Sequence, residues 1–130
     1  MTDAGQDTGS YREFAEGFHL RAEAMAWFWD SYLPDVDART DATVSPLQAS
    51  IDDLAGLPET FLVVDENDVL RDEGEAYGRK LIQAGVRTTL VRYDGTLHDF
   101  MMLNPLRSSA ASTAAIDQAI HVLRKAFAAA

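Results

Sequence analysis

The chain has 130 residues, 47% of them hydrophobic and 25% charged, which fits one domain with a modest core. Its 21 acidic and 11 basic residues give a formal net charge of −10, which argues against nucleic acid or an anionic membrane surface as a partner. With no cysteine, the chain has no disulfides, thiolate metal ligands or cysteine nucleophiles.

The N-terminal residues carry no targeting or membrane signal. Residues 1–7 lack a basic start followed by an apolar run, and no stretch reaches the roughly 20 apolar residues of a membrane span. We therefore expect no membrane span and a cytoplasmic location. Residues 1–17 are polar and contain glycine, which predicts an irregular lead-in with a short helical turn near Ser10 to Phe14.

The first predicted helix runs from Arg21 to Leu33 and ends at Pro34. Its apolar residues at helical spacing are Met25, Phe28, Trp29 and Tyr32. Trp27 falls on another face, so a helix with aromatic residues on two faces requires two packing neighbours. We interpret these aromatic side chains as packing residues.

Residues 34–56 have the composition of a connecting loop, with a short turn predicted over Ser50 to Leu54. The acidic residues Asp35, Asp37 and Asp41 are typical of an ordinary solvated loop. His19 and His121 have no ligand partner at metal spacing. We assign no metal and no cofactor.

Residues 57–93 predict a βαβ unit. An apolar run from Leu57 to Asp65 is typical of a strand buried on both faces of a parallel sheet. Asp72, with Glu75 three residues later, resembles the capped start of a helix that ends at Gly85. Residues 87–93 alternate with β-branched side chains, which predicts the second, parallel strand.

The last predicted helix runs from about Ser109 to Phe127. Its apolar stripe, expected to cover the sheet, is formed by Ile116, Ile120, Leu123 and Phe127. The serines at its start are better explained as helix caps than as nucleophiles, because no strand-turn-helix elbow surrounds them. They are Ser108, Ser109 and Ser112.

Two polar residues follow the two predicted strands. Asp68 lies in the loop after the first strand, and His98 in the loop after the second. Because the carboxyl ends of parallel strands line the ligand crevice, this spacing permits a hydrogen bond between their side chains but does not require one. Other carboxylates compete for the acidic role: Asp65, Glu66, Asp72, Glu73 and Asp94. An aspartate and a histidine so placed are two parts of a Ser-His-Asp triad, but no G-x-S-x-G elbow occurs in the 130 residues.

Several segments together resemble the C-terminal part of α/β-hydrolase esterases of the hormone-sensitive lipase type. They are residues 68–77, Gly85-Val86, residues 91–95 and residues 97–100, with upstream likeness at residues 7–14, 27–34 and 45–47. The resemblance implies that Asp68 is the triad acid and His98 the general base, acting on an ester substrate. The family's nucleophile elbow and its His-Gly-Gly-Gly-type oxyanion loop are absent from this sequence. Val69 stands where the family usually has proline and Asp99 where it usually has glycine. Beside His98, Asp99 is expected either to disturb the orientation of the imidazole or to raise its pKa. In family members the segment from Trp27 to Tyr32 lies near the substrate pocket, so an acyl-binding role of these aromatic residues stays open.

The predicted fold class is therefore α/β, a partial α/β-hydrolase fold with two parallel strands and flanking helices. Residues 1–56 form the helix and loops on the substrate-pocket side, and residues 57–130 form the β-α-β-α unit. Because a two-stranded sheet is too small to be stable alone, we expect self-association, either by pairing of the free edge at residues 61–65 or by exchange of helices. Three functions stay open: an inactive C-terminal part of an esterase, a non-catalytic self-associating module, and half of a split esterase completed in trans.

Overall fold

The computed structural model describes residues 1–128 as five helices and two strands. The helices are α1 (Gly9–Glu13), α2 (Ala22–Tyr32), α3 (Ile51–Leu54), α4 (Arg71–Gln83) and α5 (Ala110–Ala128), and the strands are β1 (Thr60–Asn67) and β2 (Thr88–Leu97). Single 3-10 turns lie at Asp37–Thr40, Pro46–Gln48 and Asn104–Leu106. No helix within residues 1–128 is both long enough and apolar enough to cross a membrane.

β1 and β2 pair in parallel, as predicted, with Thr60 opposite Thr88 and Asp65 opposite Tyr93. Between these strands, α4 packs on the face that carries Leu62 and Leu90, where Gly78 approaches both leucines closely. Tyr93 alternates to the opposite face, and its hydroxyl hydrogen-bonds with Gln118 of α5 at 2.8 Å. The two helices therefore lie on opposite sides of the sheet.

Both strands differ in extent from the prediction. β1 begins at Thr60, after Pro58, and continues to Asn67, while β2 continues to Leu97. The regular pairing breaks between Asp65 and Asn67, where Asn67 pairs with Leu97. The prediction that β1 is buried on both faces is wrong for most of the strand, because only Val64 is fully buried.

The end of α4 follows the prediction, but its start does not. Gly85 adopts a positive φ of 78°, and the Val86 N–H donates to the Leu81 carbonyl, which closes the helix. The predicted cap by Asp72 is wrong. The N-cap is Leu70, two residues earlier, so Asp72 lies inside the first turn and has no capping role.

The N-terminal lead-in is better ordered than its composition predicts. Tyr11 and Phe14 are buried in a core with Met25, Trp29 and Val69. The Ser10 hydroxyl donates to the Val69 carbonyl at 2.7 Å, and the Ser10 N–H donates to Asp72 at 2.8 Å. Ser10 thus fixes α1 to the loop before α4 through Val69 and to the first turn of α4 through Asp72.

The aromatic residues of α2 do not behave alike. Trp29 is 1% exposed, whereas Trp27 and Tyr32 are each 64% exposed and Phe28 is also exposed. The expectation of two packing neighbours is therefore wrong within residues 1–128, because a single face is buried.

The apolar stripe of α5 is likewise largely uncovered. Ile120, Leu123 and Phe127 are exposed, and the buried residues of the helix are Ser112 and Ala115. Small side chains allow the helix to approach the loop after β2, where the Ser112 hydroxyl donates to the Phe100 carbonyl at 2.7 Å. Ser109 caps the helix by accepting from the Ser112 N–H at 3.2 Å, as expected of one of these serines.

Candidate active site

Asp68 and His98 meet at the carboxyl edge of the sheet. Asp68 Oδ2 lies 2.8 Å from His98 Nδ1, and Asp68 Oδ1 accepts from the Leu70 N–H at 2.9 Å. Asp68 is 5% exposed, while the His98 side chain is 28% exposed. A carboxylate accepts only, so Nδ1 carries the proton, and Nε2 of the neutral ring is left with a free lone pair.

The two loops that carry this pair are joined to each other. The Asn67 side-chain amide donates to the Thr96 carbonyl at 3.0 Å, and the Gly95 N–H donates to the Glu66 carboxylate at 2.6 Å. Gly95 has a positive φ of 71°, which glycine adopts without steric cost. These links hold the histidine loop in register with the aspartate loop.

The Asp68 loop is also held from the side of α1. Arg71 donates to the Glu66 carbonyl at 3.1 Å and pairs with Glu13 at 3.2 Å. Its guanidinium carbon lies 4.9 Å from the centroid of the Phe14 ring. The lead-in therefore supports the site, which its polar sequence did not indicate.

The electrostatics of the pair favour a charged imidazole. The hydrogen bond to Asp68 raises the pKa of His98 despite partial burial, and the negative charges of Asp68, Asp99 and Asp65 act in the same direction. Burial tends to raise the pKa of Asp68, but hydrogen bonds from His98 and the Leu70 N–H hold it below its ordinary value. Asp68 therefore stays ionised beside its histidine.

Asp65 is a third ionisable residue beside the Asp68–His98 pair. One of its carboxylate oxygens lies within 4.8 Å of both Asp68 and His98 donor atoms. Burial, reinforced by the charge of Asp68, raises the pKa of Asp65 to about 7. The three donor atoms are close enough to hold a metal ion, but the Asp68–His98 hydrogen bond would have to break, so the geometry favours proton chemistry.

Replacing Asp65 with asparagine is expected to flatten the pH dependence of stability. Because the folded-state pKa of Asp65 lies above its ordinary value, this residue contributes stability at low pH that is lost as pH rises from about 4 to about 7. An asparagine side chain does not ionise. From about pH 5 to about pH 8, the free energy of unfolding of Asp65→Asn should therefore fall less than that of the original chain. Urea unfolding at both pH values measures this, with Asp52→Asn on α3 as a charge-matched control; equal pH dependence in all three chains would contradict the prediction.

Glu73 is a further buried carboxylate that the sequence left among several candidates. It is 1% exposed and accepts from the Thr2 N–H and hydroxyl and from the Asp3 N–H. Its second oxygen has no hydrogen-bond partner among the described residues. Burial raises the pKa of Glu73, although the Thr2 N–H opposes that effect. Glu73 fixes the N-terminal segment beside the site and does not contact His98.

A cavity of about 410 Å³ opens beside the pair. Asp68 and His98 line it together with residues 62–65 of β1 and with Met101 and Met102. Much of its wall is apolar, with the acid–base pair at one side. Because consecutive residues of β1 line it, the cavity follows the unpaired edge of this strand, with the acid–base pair beside it.

A parallel β-α-β unit with an aspartate and a histidine in the loops after adjoining strands is the arrangement in which α/β hydrolases hold the acid and the base of their triad. A family model described as the alpha/beta hydrolase fold matches residues 1–102. The chain belongs to this family.

Comparison with individual proteins gives the same class. The chain is 42% identical to an α/β hydrolase of Acanthamoeba polyphaga mimivirus over 96% of its length, and 35% identical to an esterase of Fusarium pseudograminearum over 92%. Its structure superposes with a TM-score of 0.90 on a thermostable esterase from Pseudomonas putida ECU1011, with 51% identity over 92% of the chain.

The chain spans about a third of each of these proteins: 36% of the mimivirus hydrolase, 37% of the Fusarium esterase and 37% of the Pseudomonas esterase. This coverage agrees with the interpretation as the C-terminal portion of an α/β-hydrolase esterase. The prediction of a partial α/β-hydrolase fold is thereby confirmed.

Proposed function

We propose that this chain supplies the acid–base half of a carboxylic ester hydrolase, with His98 as general base and Asp68 as the residue that orients it. The observation that carries the proposal is the 2.8 Å contact between His98 Nδ1 and Asp68 Oδ2 beside an open cavity. The names of the Fusarium and Pseudomonas relatives, both esterases, support the same reaction class.

In the proposed reaction, Nε2 of His98 takes the proton of a serine hydroxyl as its oxygen attacks the ester carbonyl carbon. Asp68 stabilises the imidazolium that forms. His98 then gives the proton to the departing alcohol, and the same steps with water in place of serine release the acid. The oxyanion donors and the serine have to come from a portion of protein outside these 130 residues.

The serines of this chain are poor candidates for that nucleophile. Three of them are fully buried, and each hydroxyl donates to a backbone carbonyl: Ser10 to Val69, Ser45 to Arg39 and Ser112 to Phe100. A hydroxyl held in this way has no access to an ester. The sequence also lacks the elbow that presents a nucleophilic serine at the end of a strand.

The proposal is tested with p-nitrophenyl butyrate and a serine-directed phosphonate label. The chain alone is expected to show neither turnover nor a labelled serine. A hybrid, in which this chain replaces the corresponding part of the Pseudomonas putida esterase, is expected to show both. Turnover by the chain alone with a labelled serine, or a folded hybrid without turnover, would contradict the proposal.

The two alternatives are completion of the site in trans and self-association. In the first alternative, a separately encoded serine-bearing portion completes the site in trans. Mixing the two portions and measuring turnover tests this version.

Self-association is favoured by β1, which pairs with β2 alone among the described strands and so has one free edge. A chain that is monomeric by light scattering at micromolar concentration would count against self-association.

The expected cytoplasmic location stays a prediction, which cell fractionation checks.

A further inference from the structure

Asp99, the residue after His98, has an unusual backbone conformation. Its φ is 64°, in the left-handed region that side chains with a Cβ atom rarely adopt and that aspartate and asparagine tolerate best after glycine. The surrounding loop holds this conformation, since the Asp99 carbonyl accepts from the Met102 N–H at 2.7 Å and from the Leu103 N–H at 3.0 Å. Strain retained at a site is a reason to look for a role of the side chain.

The strained conformation places the Asp99 carboxylate beside the histidine. Asp99 Oδ1 lies 3.6 Å from His98 Nε2, on the opposite side of the ring from Asp68. That distance is too long for a hydrogen bond but short for an interaction between charges. Nε2 itself makes no hydrogen bond among residues 1–128, so its lone pair stays available.

We propose that Asp99 acts through His98: the Asp99 carboxylate stabilises the protonated imidazole from the Nε2 side while leaving that nitrogen free to exchange a proton. This inference deepens the proposed function and rests on it for its catalytic consequence. Asp68 then fixes the ring and its tautomer, and Asp99 sets how readily the ring accepts a proton. Without Asp99 the histidine would keep its orientation but lose part of the stabilisation of its charged form.

Three carboxylates act on the imidazole from different elements. They are Asp65 on β1, Asp68 in the loop after β1 and Asp99 in the loop after β2, and all three raise the pKa of His98. The hydrogen bond to Asp68 is the largest of these effects. Arg71, which follows Asp68 by three residues, is positively charged, but its guanidinium is paired with Asp72 at 2.9 Å and with Glu13. Removing the charge of Asp99 should therefore lower the pH at which His98 titrates without releasing the ring from Asp68.

The test is an NMR titration of the His98 ring nitrogens in the full chain. Asp99→Asn keeps the shape and tolerates the positive φ, and Asp99→Gly relieves the strain, so both variants are expected to fold. We expect His98 to titrate at lower pH in both variants, with Nδ1 still protonated in the neutral ring. Asp52→Asn, which removes an exposed carboxylate from α3, is expected to titrate like the original chain.

A His98 titration unchanged or moved to higher pH in both Asp99 variants would overturn the inference, and so would an equal change in Asp52→Asn. The titration needs neither substrate nor serine, so failure of the proposed esterase function is seen separately in the hybrid assay. In an active hybrid, Asp99→Asn should move the acidic limb of the kcat/KM profile to lower pH. An acidic limb that does not move while His98 does would overturn the catalytic part of the inference.

Discussion

Replacing His98 with alanine in the hybrid esterase is expected to lower kcat by about 10⁶-fold, close to the loss seen when a triad histidine or serine is removed from a serine hydrolase. The physical reason is that the proposed transfer of the serine proton runs through Nε2 of His98, which alanine lacks. The measurement is p-nitrophenyl butyrate turnover by the purified hybrid.

Asp68→Asn separates orientation of the histidine from proton transfer. An asparagine can donate to Nδ1, which favours the tautomer with the proton on Nε2, so a loss of about 10⁴-fold is expected, smaller than that of His98→Ala. Thermal unfolding of each hybrid shows whether the protein still folds. His121→Ala on the exposed side of α5 is the matched control and should keep full activity.

A His98→Ala hybrid that retained its turnover would contradict the assignment of the general base, whatever the behaviour of Asp68→Asn. Equal, partial losses in His98→Ala and His121→Ala would point to a structural effect of both substitutions. Loss of the general base and a weakened fold also differ in the rate at which the serine is labelled by the phosphonate. Without its base the serine reacts slowly with the label, while a merely weakened fold leaves the labelling of the remaining folded fraction unchanged.

The closeness of Asp68 and His98 was predictable because topology brings both loops to one edge of the sheet, although topology permits their hydrogen bond without requiring it. An apolar run, a helix and an alternating run specify a parallel βαβ unit, and parallel strands deliver their following residues to one edge. The side chains then need only a short loop to meet at 2.8 Å. The spacing of the strands predicted that the two loops are neighbours. The resemblance to known esterases implied the roles of Asp68 and His98.

The supporting residues were harder to predict because their roles depend on contacts distant in sequence. Asp72 has the spacing of a helix cap, yet its partner is the N–H of Ser10, which is 62 residues away. Asp65 is one of several carboxylates in an acidic segment, and only its proximity to Asp68 and His98 distinguishes it. Asp99 could be singled out from the sequence as a departure from the family, but its distance from Nε2 could not.

The same limit applies to the aromatic residues of α2, where helical spacing grouped Phe28 and Tyr32 with Trp29. Spacing defines a face, but the neighbour that covers the face comes from elsewhere. Tyr11 and Phe14 of the N-terminal segment cover the side of the helix that carries Trp29. No described element covers Trp27 or Tyr32, and both stay exposed.

This difference between neighbouring tryptophans gives a second large prediction. Trp29→Ala is expected to lower the free energy of unfolding of the chain by about 3 to 5 kcal/mol, because it removes the largest fully buried side chain. Trp27→Ala, on the same helix, is expected to change it by about 0.5 kcal/mol or less. Urea unfolding followed by circular dichroism measures both values, since circular dichroism does not depend on the tryptophan signal that each variant loses.

A milder variant shows which property of Trp29 matters. Its indole N–H has no hydrogen-bond partner among the described residues, so Trp29→Phe removes an unpaired donor while keeping most of the apolar volume. Trp29→Phe should therefore cost much less than Trp29→Ala. A loss as large as that of alanine would mean that the indole N–H is paired in solution, with a group that the described residues do not supply.

The effect of Trp27→Ala on stability also distinguishes a monomeric chain from a self-associated one. If the chain is monomeric, Trp27 stays in water and its removal costs little at any protein concentration. If copies associate through the exposed face of α2, Trp27 is buried there, and Trp27→Ala should lower stability by an amount that grows with protein concentration, because association stabilises the folded state by mass action. Association through the free edge of β1 alone would leave Trp27→Ala without effect while the stability of the original chain still rose with concentration.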